Sequence, residues 1–251
     1  MTLELKNITT VVNQGTPEEK TILKQINLKL QDGDFVTLLG TNGAGKSTLL
    51  NVINGSLKPS SGQILLDGTD ITNLSEVKRA KDIAQVFQDP KLGTAPRMTV
   101  AENLLLATKR GLRRSLKMRG LEKHLAEFKE KTAQLPNGLS KHLQTFVGNL
   151  SGGQRQTLSF LMATIRRPKL LLLDEHTAAL DPKTSQNLLA LTNDVVSREK
   201  ITCIMITHQL SDALKYGNRT IILNSGKIVL DAYGEEKKQL TEEKILEFFT
   251  N

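Results

Sequence analysis

Tryptophan is absent from the 251 residues, and cysteine occurs once, at Cys203. One cysteine permits no internal disulfide and fits a reducing compartment. Cys203 lies in the apolar run ITCIMIT, which reads as a buried structural thiol rather than a reactive one. Two tyrosines and seven phenylalanines leave few stacking platforms for single-stranded nucleic acid, so no nucleic-acid partner is expected. No apolar run approaches the ~18 residues of a membrane span. The start, MTLELKNITT, lacks the apolar core of a signal peptide. Internal repeats and low-complexity tracts are also missing. The chain has room for one large domain, or for one domain with a substantial insertion. Its net charge of +8 is compatible with nucleic acid, anionic lipid or a phosphate ligand, and the motifs must choose among them.

The stretch FVTLLGTNGAGKSTLLNVING, residues 35–55, makes that choice. Phe35 to Leu39 is an apolar, β-prone run and predicts a buried strand. Gly40, Thr41, Asn42, Gly43, Ala44, Gly45, Lys46 and Ser47 then fit the phosphate-loop pattern G-x-x-x-x-G-K-[ST]. Thr48 to Asn54 predicts the helix that follows. A triphosphate needs many donors at close range. Glycines let backbone N–H groups turn inward, and a helix start adds unpaired N–H groups and a positive dipole end. Lys46 can reach the β- and γ-phosphates, and the Ser47 hydroxyl can ligate Mg²⁺. A chance Gly-rich turn would not be framed by a strand and a helix. The stretch is a nucleoside-triphosphate site.

Further strands are predicted at residues 2–9, 26–30, 63–66 and 83–87, the last delivering Gln88 into a loop. Thr99 and Glu102 have capping-box spacing ahead of an apolar run. Residues 99–109 and 120–134 look helical, which predicts a helical insertion at about 90–167 in an α/β core. Between Lys109 and Lys123 lie seven basic residues, Lys109, Arg110, Arg113, Arg114, Lys117, Arg119 and Lys123, against Glu122 alone. They form either a solvated face or a contact with lipid headgroups or a membrane partner.

Leu150-Ser151-Gly152-Gly153-Gln154 predicts a second capped helix whose glycines leave N–H groups open to an anion. Leu170 to Leu173 predicts a buried parallel strand ending in Asp174 and Glu175. Ligands of open α/β sheets sit at the carboxyl ends of strands. Asp174 is therefore the candidate Mg²⁺ holder, and Glu175 the group that polarises an attacking water. Asp181 and Pro182 turn the chain into a helix at residues 183–196. His208 ends the apolar strand 201–207, on the same edge, and reads as a γ-phosphate contact. A hairpin at 221–230 and a closing helix at 240–249 complete the chain.

Taken together, these residues resemble the nucleotide-binding subunits of ABC transporters, over about residues 2–232. The resemblance makes Gly40 to Ser47 the Walker A motif, with Thr48 beside it. Leu150 to Gln154 is the signature, Asp174 and Glu175 are the Walker B aspartate and catalytic glutamate, and His208 is the switch histidine. It also makes Gln88 the Q-loop glutamine, a Mg²⁺ ligand that contacts membrane subunits, and Asp181 the D-loop aspartate. The implied fold is α/β, a P-loop NTPase of ABC type: a mixed β core, an inserted helical subdomain and an antiparallel N-terminal β subdomain. The implied boundaries are one ABC ATPase domain over 1–251. Its RecA-like core covers about 1–89 and 168–232, its helical subdomain about 90–167 and its C-terminal helix about 240–250. The implied activity is transport-coupled ATP hydrolysis with ATP and Mg²⁺. The implied partners are a second copy in a head-to-tail dimer, transmembrane permease subunits and an extracytoplasmic solute-binding protein. The implied location is the cytoplasmic face of the membrane, held there by the permease.

Three departures from the family pattern narrow the expectation. Most relatives stack an aromatic on adenine near the start, whereas here Thr10-Val11-Val12-Asn13 has none and Val12 stands for that position. An aliphatic contact selects the base less sharply, which leaves ATP against GTP open. The usual D-E-P-T-S-A-L-D reads Asp174-Glu175-His176-Thr177-Ala178-Ala179-Leu180-Asp181. With NQGT at 13–16 and MAT at 162–164, this is similar to a subgroup of bacterial importer ATPases, some tied to uptake of amino acids, including tryptophan-like ones. The stretch Thr145 to Asn149 lacks the acidic-arginine-glycine pattern of large exporters, which favours import. An exporter ATPase and a soluble non-transport ABC ATPase are the alternatives. The soluble kind usually carries a coiled coil or a second nucleotide domain, and neither is present. If the basic stretch contacts the membrane, neutralising Arg113, Arg114 and Lys117 together weakens membrane association in a fractionation assay. Unchanged association leaves it a solvated face.

Overall fold

The computed structural model describes residues 1–112, 120–135 and 137–250. In chain order its first elements are β1 (Leu3–Val12), β2 (Lys20–Leu30), β3 (Phe35–Leu39), α1 (Lys46–Asn54), β4 (Ser61–Leu66), β5 (Thr69–Asp70) and α2 (Glu76–Arg79). Next come β6 (Ile83–Val86), α3 (Val100–Thr108), α4 (Leu125–Ala133), α5 (Gly152–Thr164), β7 (Leu170–Asp174) and α6 (Pro182–Arg198). The last are β8 (Thr202–Ile206), α7 (Leu210–Lys215), β9 (Arg219–Asn224), β10 (Lys227–Tyr233), α8 (Glu235–Lys238) and α9 (Glu242–Thr250). They fall into two compact units, Met1–Arg79 with Lys200–Asn251, and Ala80–Glu199.

The first unit holds an antiparallel sheet in the order β2-β1-β4-β5. β1 and β2 both run longer than their sequences suggest. Register shifts between Leu5 and Ile8 and between Ile8 and Val11 break the alternation that marks a strand. The same unit places β3 between β8 and β9, parallel to both, while β10 returns antiparallel to β9. A parallel strand covered on both faces needs apolar residues throughout, and all five residues of β3 are buried. Thr37 is the polar exception. Its hydroxyl lies 3.1 Å from the Ala213 carbonyl and 2.9 Å from the Thr220 hydroxyl, so its burial leaves no orphan. Cys203 is buried in β8, and desolvation pushes its thiol pKa upward, away from reactivity.

Arg79 holds the far end of α1. Its guanidinium donates to the Val52 and Ile53 carbonyls at 2.8 and 2.7 Å and to those of Leu74 and Thr72 at 3.0 Å. Two of these are end-of-helix carbonyls that would otherwise lack partners, and a cation suits that end of the dipole.

The second unit pairs β6 and β7 in parallel and packs its helices around a core that includes Val100, Leu104, Phe128, Leu139, Leu150 and Leu158. Both expected capping boxes form. Thr99 accepts from the Glu102 N–H, and Glu102 accepts from the Thr99 N–H. Ser151 and Gln154 do the same at α5. The helix expected over 120–134 begins as a 3₁₀ turn at Leu121–His124 before α4. Of the basic stretch, Arg113, Arg114, Lys117 and Arg119 lie outside the described residues. Arg110 is structural: it donates to the Ala163 carbonyl at 2.7 Å and also bonds the Arg166 carbonyl, tying the end of α3 to the end of α5.

Candidate functional site

In the first unit β3 runs straight into the Gly40–Ser47 loop and α1. Gly45 is the N-cap of α1 at φ 103°, a left-handed value that a residue with a Cβ rarely adopts. At Gly40 the limit is space, since a Cβ there would sit 2.3 Å from the Leu223 carbonyl oxygen. The loop is braced from outside by the Gly226 N–H, which donates to the Ala44 carbonyl at 3.1 Å. Lys46 is buried, and its Nζ donates to the Gly40 and Thr41 carbonyls at 2.8 and 3.0 Å. The loop thus curls around an ammonium at the positive end of a helix, an arrangement made for a polyanion. Thr41, Asn42, Gly43 and Ser47 are exposed, and Thr48 is half-buried.

Leu38 of β3 pairs with Ile206 of the parallel strand β8, so His208 leaves β8 at the end where β3 enters the loop. His208 is exposed there. Val12 closes β1, half-buried, opposite Lys20.

The second unit repeats the logic. Val86 of β6 pairs with Leu173 of β7, so Gln88 and Asp174 emerge at the same strand end. Gln88 is exposed, while Asp174 and Glu175 are half-buried. The Gln88 loop is tied to α5 by Gln156 Nε2, which donates to the Phe87 carbonyl at 3.0 Å. Glu175 has φ 46°, a left-handed value in a non-glycine residue, at the turn that leaves β7.

His176 stands where the family usually has proline, and the structure gives it a role the sequence did not reveal. It is buried, its Nε2 is 3.2 Å from the Thr192 hydroxyl of α6, and burial lowers its pKa to about 4. It is therefore neutral at pH 7 and anchors the turn that carries Glu175. Asp181 then caps α6, accepting from the Thr184 N–H at 3.1 Å with Pro182 next. Hydrogen bonds from Thr184, side chain first and backbone second, hold the Asp181 carboxyl below its ordinary pKa.

Ser151, Gly152, Gly153 and Gln154 form the mouth of α5. With Asn137, Ala179, Leu180, Asp181 and Thr184 they line a cavity of about 350 Å³. Its two glycines differ. A Cβ on Gly152 would meet nothing within 4 Å, whereas one on Gly153 would meet Thr184 Cγ2 at 2.6 Å. Gly152 keeps the mouth open, and Gly153 lets α5 pack against α6.

Comparison with known proteins identifies the family. Residues 23–178 fit the family described as ABC transporter. The chain belongs to that family. It is the ATP-binding subunit of a transport system and an ATPase, with the α/β P-loop fold of that family. A tyrosine transport ATP-binding protein of Clostridioides difficile is 49% identical over 98% of both chains. An energy-coupling factor transporter ATP-binding protein, EcfA2, of Ligilactobacillus salivarius is 32% identical over 94% of this chain and 80% of its own. Among solved structures, a dimeric post-hydrolysis state of an ATP-binding cassette bound to ADP and Pi superposes with a TM-score of 0.77. It is 29% identical and covers 92% of this chain and 98% of its own. Among the described residues no helix of this ABC subunit is long and apolar enough to cross a membrane.

The contrast between the two signature glycines is testable by thermal denaturation. Gly153→Ala is expected to cost about 1–3 kcal/mol through overpacking and to lower Tm, with Thr184→Ala restoring much of the loss. Gly152→Ala is expected to leave Tm within a degree or two while depressing ATP turnover. Equal Tm values for the two variants would contradict the packing role.

Proposed function

We propose that this subunit powers the import of an amino acid, with tyrosine and other aromatic amino acids the first candidates. The observation that carries the reading is the 49% identity, over 98% of both chains, to a tyrosine transport ATP-binding protein. The subgroup features of the sequence support it independently: His176 after the two acids, NQGT at 13–16, and the absence of an exporter pattern before the signature.

The family resemblance supports a role for each residue. Gly40, Thr41, Asn42, Gly43, Ala44, Gly45, Ser47 and Thr48 surround the β- and γ-phosphates of ATP. Lys46 exchanges the two loop carbonyls it now contacts for phosphate oxygens. The Ser47 hydroxyl, the Asp174 carboxylate and the Gln88 amide oxygen are hard oxygen donors, a set that would hold Mg²⁺. When bound, Mg²⁺ neutralises developing charge on the phosphates. Val12 lies against the base. Ser151, Gly152, Gly153, Gln154 and Asp181 of a second copy close on the γ-phosphate in a head-to-tail dimer. Glu175 takes a proton from water for in-line attack, and His208 steadies the γ-phosphate. Catalysis comes mainly from positioning and charge stabilisation.

Permease subunits at the cytoplasmic face of the membrane couple closure and reopening to solute movement, and an extracytoplasmic binding protein delivers the solute. The proposed boundaries of the family's parts are a RecA-like core at about 1–89 and 168–232 and a helical subdomain at about 90–167.

Affinity purification of the tagged chain from mildly solubilised membranes, followed by mass spectrometry, tests this reading. A polytopic permease with a binding protein that binds tyrosine or a related amino acid is the expected result. A permease without a binding protein would point to export. Ribosomal or DNA-bound partners would contradict a role in transport.

A further inference from the structure

Gln156, in the first turns of α5, is buried, and its amide is only half used. Its Nε2 donates to the Phe87 carbonyl at 3.0 Å. Its Oε1 is shielded from solvent and has no hydrogen-bond partner among the described residues. An unmet buried acceptor costs about 1–3 kcal/mol, and a methionine would fill similar space without that loss. A residue kept only for packing would not carry it. What the amide does is hold one backbone atom. β6 ends at Val86, which pairs with Leu173 of β7, so the Phe87 carbonyl follows the end of the ladder. The next residue is Gln88. The chain then comes back to the same helix further along, where a Cβ on Gly93 would sit 2.9 Å from Ser159 Oγ. Between these two contacts Gln88 is exposed, whereas Asp89 turns back on its own loop and accepts from the Lys91 N–H at 2.9 Å.

The bonded carbonyl belongs to the peptide group that joins Phe87 to Gln88. That group is planar, so fixing its oxygen also fixes the direction of the Gln88 nitrogen and Cα. Without the bond, the peptide turns about the torsions on either side, and the root of the Gln88 side chain swings with it. A metal donor works only when held close to its productive position by the residues behind it. We propose that Gln156 is a positioning residue that sets the reach of Gln88 toward Mg²⁺. It acts through the Phe87–Gln88 peptide and does not itself touch the metal. This rests on the reading of Gln88 as a Mg²⁺ donor given above. Gln88 then takes its position from α5 as well as from the strand it leaves.

The test is a Mn²⁺ titration, Mn²⁺ standing in for Mg²⁺, of the full chain in excess over a non-hydrolysable ATP analogue. The electron-spin signal of free Mn²⁺ is the readout. Gln156→Met keeps the volume and removes the donor. It is expected to weaken Mn²⁺ binding about ten-fold, the low end for loss of a group that orients a metal ligand. Its affinity for the analogue in metal-free buffer should stay at the wild-type value, which a general loss of structure would not allow. Gln156→Leu, also without the donor, answers the same question if the methionine variant folds poorly. Gln88→Ala should weaken Mn²⁺ binding at least as much. The double variant should be no weaker than Gln88→Ala alone, because Gln156 acts only through Gln88. Wild-type Mn²⁺ binding in Gln156→Met with weakened binding in Gln88→Ala would overturn the proposal and leave the reading of Gln88 standing. Additive losses in the double variant would do the same. Wild-type binding in Gln88→Ala would remove the reading of Gln88 and the proposal together.

Discussion

Where one stretch of the chain passes close to another, or turns through a left-handed φ, there is no room for a side chain, and much of this molecule follows from that constraint. It explains why the loop after β3 is glycine at Gly40 and Gly45, where the Leu223 carbonyl crowds one position and a left-handed φ is imposed at the other. The loop so formed offers the Gly40 and Thr41 carbonyls to Lys46, the first residue of α1. The constraint applies again at α5, where a Cβ on Gly153 would meet Thr184 Cγ2 at 2.6 Å. In both places a helix N-terminus supplies the donors and the positive dipole end, and a neighbouring element fixes the helix.

The two mouths are stabilised differently. Arg79 satisfies carbonyls at the far end of α1, and Gly226 braces the loop in front of it. At α5 the helix secures its own start through the Ser151–Gln154 capping box, while Gln156 reaches to the Phe87 carbonyl ahead of Gln88. A disturbance at the Gln88 loop is thereby connected by a single side chain to the signature helix.

What could be read from the sequence was what is encoded locally. The phosphate loop, both capping boxes, the Leu170–Leu173 strand with its two acids, and the burial of Cys203 each depend on residues within one turn or one strand of each other. Strand ends were less legible: bulges in β1 and β2 interrupt the alternation that defines them. Long-range partners were illegible. Nothing near Arg79 in sequence announces that it ends α1, and nothing near His176 announces Thr192 sixteen residues on. His176 stood out only as a departure from the family pattern, and its burial explains how that position is filled without proline. Gln156 gave no sequence signal, because its bond to the Phe87 carbonyl is a property of packing. Arg110, counted with a basic surface stretch, proved to be a clasp between two helices.

The central proposal is that ATP is bound between two copies of this chain and that Glu175 activates the water that cleaves it. Light scattering on Glu175→Gln, with ATP and Mg²⁺ against ADP and Mg²⁺, tests it most directly. The account predicts a stable dimer holding two unhydrolysed ATP molecules, and monomer with ADP. A monomer under both conditions, or wild-type turnover in the variant, would contradict it.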